Sequence, residues 1–226
     1  MQLAIKAVIS RDEAAAFVRA LERADWSNGK ATAGYLSAQV KNNAQLREDH
    51  PLSRQLGEKI LDALDRNEVF IAAALPLKVV PPLFNRYGDA QSYGRHIDGG
   101  IRPVFGRPQR VRTDLSATLF LSPPDSYDGG ELIVEEAGGA QSFKLEAGDM
   151  LLYPANRVHR VAPVTRGARL ASFFWIQSMV RLEDHRTTLF QLDNALRTLG
   201  RDVPDHPALV EMMGVYHNLL RLWSDT

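Results

Sequence analysis

Between residues 76 and 180 the apolar residues come in short runs that turn signals keep cutting. "LSATLFLS", "GELIVEE", "QSFKLEAGDMLLYP", "HRVAPV" and "RLASFFWIQSMV" are separated by "PPD", "DGG", "AGG", "PAN" and "TRG". Such runs are too short for helices that bury a face, and several alternate apolar with polar, so antiparallel strands are expected. Many short strands at regular spacing close into a sandwich or barrel. The run "FIAAALPLKVVPPLFNRYG" reads as the entry into this β-core.

The flanks are patterned differently. Ser10 and Glu13 have the spacing of a capping box, and Ala14, Phe17, Val18 and Leu21 follow at helical intervals. Leu56, Ile60, Leu61 and Leu64 make a second stripe that ends near Asn67, while "WSNGKATAGYLSAQVKNN" between them reads as irregular or extended. Beyond Arg181, Leu189, Leu192, Leu196 and Leu199 mark one helix, and Pro207 suits the first turn of another. The expected plan is an α+β chain: a helical segment over residues 1–75 packing on the core, a β-core over 76–180, and a helical segment over 181–226.

Composition removes several functions. The chain has no cysteine, so disulfides, thiol nucleophiles and zinc–thiolate sites are excluded, and any metal must be held by His, Asp or Glu. Lys+Arg and Asp+Glu number 27 each, which gives no footing for a nucleic-acid or anionic-membrane partner. Lys6 interrupts the apolar start, and Lys78 with three prolines breaks the longest apolar run, so a cytoplasmic protein is expected.

"SYGRHIDGG" then raises the chemical question. His96 and Asp98 lie two apart, on one face if the strand continues, and could grip a metal together. Of the six histidines only His96 and His159 fall within the predicted β-core; His185, His206 and His217 read as surface or helix-packing residues. His96, Asp98 and His159 compose two imidazoles and one carboxylate, the facial set of non-haem Fe(II) oxygenases, which leaves positions open for a 2-oxo acid and dioxygen. Ten residues on, Arg169 begins the strand "RLASFFWIQS", where it is the lone charge on a face shared with Ala171, Phe173 and Trp175. A guanidinium there needs an anionic partner, and the far carboxylate of a dicarboxylic 2-oxo acid suits it. Arg166, in the preceding turn, is expected to face solvent.

On these stretches, with "FNRYGDAQSYGRHIDGGI" and "RTDLSATLFLSPPDSYDGGELIVEE", the sequence resembles the PKHD-type (prolyl/lysyl hydroxylase domain) Fe(II)/2-oxoglutarate-dependent hydroxylases, in particular their iron-regulated bacterial members. The resemblance implies a double-stranded β-helix, or jelly roll. It implies iron on His96, Asp98 and His159, and 2-oxoglutarate on Arg169 with Tyr87 beside it. It also implies hydroxylation coupled to decarboxylation of 2-oxoglutarate to succinate and CO2, with ascorbate as reductant and a link to iron uptake. One departure stands out. Where animal prolyl hydroxylases carry an aromatic hydroxyl, this sequence has Phe120, so either Thr118 substitutes or Arg169 acts with less help. A non-enzymatic sensor of iron and 2-oxoglutarate on the same fold is the alternative. The expected partners are a small-molecule or peptide substrate and a second copy of the chain in a homodimer. The arginines of "GGIRPVFGRPQRVRTD" fit either an acidic substrate or a solvated loop.

Overall fold

The computed structural model describes residues 1–32 and 34–225. Its centre is a jelly roll of two antiparallel sheets. The larger runs in the order Leu3–Ile5, Met150–Pro154, Leu115–Phe120, Arg169–Ser178, Leu83–Tyr87, Ala44–Gln45 and Ser27–Asn28, with Pro76–Val79 also paired to the Arg169–Ser178 strand. The smaller runs Gly139–Phe143, Leu132–Glu136, His159–Val161, Ser92–His96 and Lys41–Asn42. Neighbouring strands far apart in sequence are what wind the two sheets into one barrel.

Burial explains why the larger sheet is so apolar. All six residues of Leu115–Phe120 are buried, because both faces are covered. Leu115, Ala117 and Leu119 join Leu170, Phe174 and Ile176 in a core against the helices. Phe120 and Tyr87 belong to a second core inside the barrel, with Leu132, Val134, Leu151 and Tyr153. That alternation leaves Ser116, Thr118 and Arg169 to line a cavity between the sheets.

Helix α1 (Arg11–Leu21) carries its full capping box: the Ser10 hydroxyl accepts from Glu13 N–H and the Glu13 carboxylate from Ser10 N–H. It buries Ala14, Phe17 and Leu21 in the same core as Leu56, Ile60 and Leu64 of α3 (Pro51–Asp65), while the short α2 (Tyr35–Val40) lies between them in sequence. After α4 (Glu68–Ala74), the chain enters the barrel. It leaves through α5 (Glu183–Asp202) and α6 (Ala208–Trp223), which pack together and bury Leu189 of α5 with Leu75 and Val180. His185 stacks on Trp223 there, ring centres 4.0 Å apart. Among the described residues no helix is long and apolar enough to cross a membrane.

Two parts of the first 75 residues differ from the sequence expectation. This segment is not purely helical: Leu3–Ile5 extends the large sheet along Met150–Pro154, and the stretch read as irregular or extended holds the helix α2 between the short strands Ser27–Asn28 and Lys41–Asn42, with Ala44–Gln45 just beyond. Strands of two or three residues have no period to read; backbone ladders recruit them. The run "FIAAA", read as strand, is helix α4. Asn67 caps it by accepting from Phe70 N–H at 2.9 Å, and its alanines favour helix until Leu75 turns left-handed (φ +43°) ahead of Pro76.

Candidate functional site

His96 ends its strand and His159 begins the neighbouring one, directly opposite in register. Asp98 follows in the loop whose Gly99 and Gly100 carbonyls accept from Thr113 Oγ1 and N–H. One ligand atom from each of the three lies within 4.8 Å of the others. The backbone fixes the tautomers: His96 Nδ1–H donates to the Gly94 carbonyl at 2.8 Å and His159 Nδ1–H to that of Arg157 at 3.0 Å. Both Nε2 lone pairs are therefore available for a metal. Ser116 Oγ–H donates to Asp98 Oδ2 at 2.6 Å and holds the carboxylate in place. Tyr93 stacks on His96 at 3.6 Å. Burial, reinforced by His159 alongside, pushes His96 down to about 4, so it presents a neutral imidazole at physiological pH. A divalent first-row ion is the species such a donor set accepts.

Arg169 lies at the other end of this chemistry. It is 1 % exposed, and its guanidinium sits 5.4 Å from the Tyr87 ring and 5.2 Å from the Phe120 ring. Its Nε and Nη1 have no hydrogen-bond partner, and among the described residues no carboxylate forms an ion pair with it. A buried charge left this way is costly unless an anion arrives, which is what a co-substrate carboxylate would be. Room for its stem is made at Gly130, whose backbone is left-handed (φ +68°); a Cβ there would stand 3.1 Å from Arg169 Cδ. Arg166, by contrast, is exposed and bound to Asp128 at 2.7 Å.

Tyr87 pairs in register with Arg169, and burial raises its phenol to about 12, so it stays a neutral donor. Phe120 packs its ring against Arg169 and has no hydroxyl to offer, while Thr118 lines the same cavity. Among the described residues the buried Tyr127 hydroxyl has no hydrogen-bond partner, and its phenol is also raised by burial and drawn back by Arg169.

These groups enclose a cavity of about 250 Å³ lined by His96, Asp98, His159, Arg169, Tyr87 and Thr118 together. Lys41, Asn85, Ser116 and Tyr153 also line it and had not been singled out from sequence. Alternation would have found three of them, since Asn85 is two before Tyr87, Ser116 two before Thr118, and Tyr153 sits in an apolar strand. Lys41 carries no such signal.

The family model of the 2OG-Fe(II) oxygenase superfamily matches residues 82–177, and that of the PKHD-type hydroxylase C-terminal domain matches 183–225. The chain is 54% identical over 225 residues to the PKHD-type hydroxylase PiuC of Pseudomonas aeruginosa, and 53% identical to a PKHD-type hydroxylase of Bordetella pertussis, with 100% of both chains covered in each case. Among solved structures, a Pseudomonas putida prolyl-4-hydroxylase superposes with TM-score 0.53 at 18% identity over 78% of this chain and 92% of its own. A 2OG-Fe(II) oxygenase family oxidoreductase from Burkholderia pseudomallei gives 0.56 at 18% identity over 78% and 85%. At that identity the two structures bear on the fold alone.

Proposed function

This chain belongs to the PKHD-type hydroxylases of the 2OG-Fe(II) oxygenase superfamily, and from that premise we propose that His96, Asp98 and His159 hold its Fe(II) and that Arg169 receives the distal carboxylate of 2-oxoglutarate. The family implies both groups. The observation that carries the residue assignment is the buried guanidinium without a carboxylate, placed in the same cavity as the His–Asp–His cluster.

When bound, iron and 2-oxoglutarate supply the oxidising power: one atom of dioxygen ends in succinate, the other in the hydroxylated product, and CO2 leaves. The protein's share is binding and orientation. Ser116 fixes the rotamer of Asp98, and the Gly94 and Arg157 carbonyls fix those of the two imidazoles. The bidentate fork of Arg169 sets the direction from which the oxo acid reaches the metal ligands, and Tyr87 and Tyr127 offer hydroxyls beside it. The apolar walls Leu132, Val161 and Phe174 keep water away.

Succinate formation by the Fe(II)-reconstituted protein without any prime substrate tests this. Slow turnover that Asp98→Ala abolishes and Arg169→Ala weakens is expected. Tight binding of both groups without succinate would favour a sensor, and failure to bind either would remove the assignment.

A further inference from the structure

The cavity holds more positive charge than the co-substrate requires. Lys41 stands beside Tyr93, its register partner on the strand that ends in His96. It is 4 % exposed, with Nζ 5.4 Å from the Tyr93 ring and 5.8 Å from that of Phe173, and it donates to Gln45 Oε1 at 2.9 Å. Gln45 pairs in register with Asn85, which is 8 % exposed, lines the cavity and has a buried Oδ1 with no partner. Nearby, the Arg102 guanidinium lies 4.9 Å over the Trp175 ring and is bound to Glu48. Arg102 therefore brings its own acid. Of the four arginines in that loop it is the one that turns into the cavity, whereas Arg112 is bound to Asp114.

Charge balance gives the cavity a sign. Among the described residues its cations are Lys41, Arg102 and Arg169, and its anions are Asp98 and the Glu48 held by Arg102. Fe(II) and the 2-oxoglutarate dianion cancel each other, so one positive charge remains in a largely buried space. Burial and Arg102 lower the Lys41 ammonium to about 8, and Asp98 and Glu48 draw it back up. A surplus charge in such surroundings is relieved by an anion.

Resting on the Fe(II)/2-oxoglutarate reading of the site, we propose that the prime substrate is an organic monoanion whose carboxylate is received by Lys41. Asn85 supplies a second polar contact, and the rings of Tyr93, Phe173 and Trp175 pack against an apolar or aromatic body. Lys41 is then a specificity-determining residue, separate from the co-substrate anchor Arg169.

The test uses protein loaded with Ni(II) and saturating 2-oxoglutarate, with 3-phenylpropionate and its neutral amide, 3-phenylpropionamide, as calorimetric probes. The carboxylate should bind about tenfold tighter than the amide or more, as one charge-assisted hydrogen bond warrants. Lys41→Met should bring the two to parity, and Lys41→Arg should retain the preference. Equal affinities in the wild type, or no binding of the carboxylate at millimolar concentration, would overturn the proposal whether or not the variants fold. So would a Lys41→Met protein that keeps nickel but loses 2-oxoglutarate, because Lys41 would then belong to the co-substrate. Failure of the wild type to bind nickel or 2-oxoglutarate would sink the underlying reading instead, and is seen before any probe is added.

Discussion

Arg102 and Arg169 line one cavity and are kept there in opposite ways. Arg102 lies over the Trp175 ring with Glu48 bound to it, so its charge is answered within the protein. Arg169 lies between the rings of Tyr87 and Phe120 with two nitrogens unanswered. A charge that carries its own counterion shapes a wall and tolerates different visitors. A buried charge left without one is, on the proposed reading, an unfilled half of a complex, its cost offset when the other half binds.

Asp98→Ala removes the only anionic ligand of the cluster, and bound iron should fall to background after reconstitution and desalting. Arg169→Met should weaken 2-oxoglutarate binding by the 2–5 kcal/mol typical of truncating a buried charged pair, roughly thirty-fold to several thousand-fold in Kd. The same variant without ligand should melt no lower than the wild type, since it no longer buries an unanswered charge. A clear fall in Tm together with near-normal 2-oxoglutarate affinity would reverse the reading of Arg169.

Smaller effects sharpen the picture. Ser116→Ala leaves Asp98 without its 2.6 Å donor and should cost about 10–100-fold in metal affinity by titration. In the metal-free protein, His96 is held neutral, well below the usual imidazole value. Its contribution to stability is present above about pH 6.5, the ordinary imidazole value. That contribution is lost as the pH falls towards 4, because the unfolded chain takes up the proton first. Urea midpoints across that range should decline in the wild type and flatten in His96→Gln. Smallest of all, Arg166→Ala, three residues from Arg169 on an exposed ion pair with Asp128, should leave 2-oxoglutarate affinity unchanged by calorimetry.

How much of this could be read beforehand depends on which physical signal each residue carries. Arg169 announces itself through the two-residue period of strands, as a charge on an apolar face; His96 and Asp98 are legible as two ligand types close in sequence, although the strand stops at His96 and Asp98 follows in the loop. The jelly roll follows from the punctuation of its strands. Tyr127 and Lys41 are different, because what makes them matter is the approach of distant chain. Tyr127 meets Arg169 across 42 positions, and Lys41 comes from a stretch with no periodic pattern at all. Helix α4 was hidden by the ambiguity of a five-residue apolar run, although Asn67, three before Phe70, was a legible cap.

The pairing of Leu3–Ile5 with Met150–Pro154, pinned by Lys6 and Ala7 on Asp149, has a consequence for how the molecule is made. The two strands are separated by about 145 positions, so during synthesis the first leaves the ribosome long before its partner exists. Until the two meet, the Met150–Pro154 strand is an open rim of the large sheet, and closing so long a loop is slow. Docking of these three residues covers Met150–Pro154 and leaves in its place an edge of three residues, too short to pair readily with other chains. Weakening the Asp149 clamp is therefore expected to show first as aggregation during expression, before any loss appears in protein that has already folded.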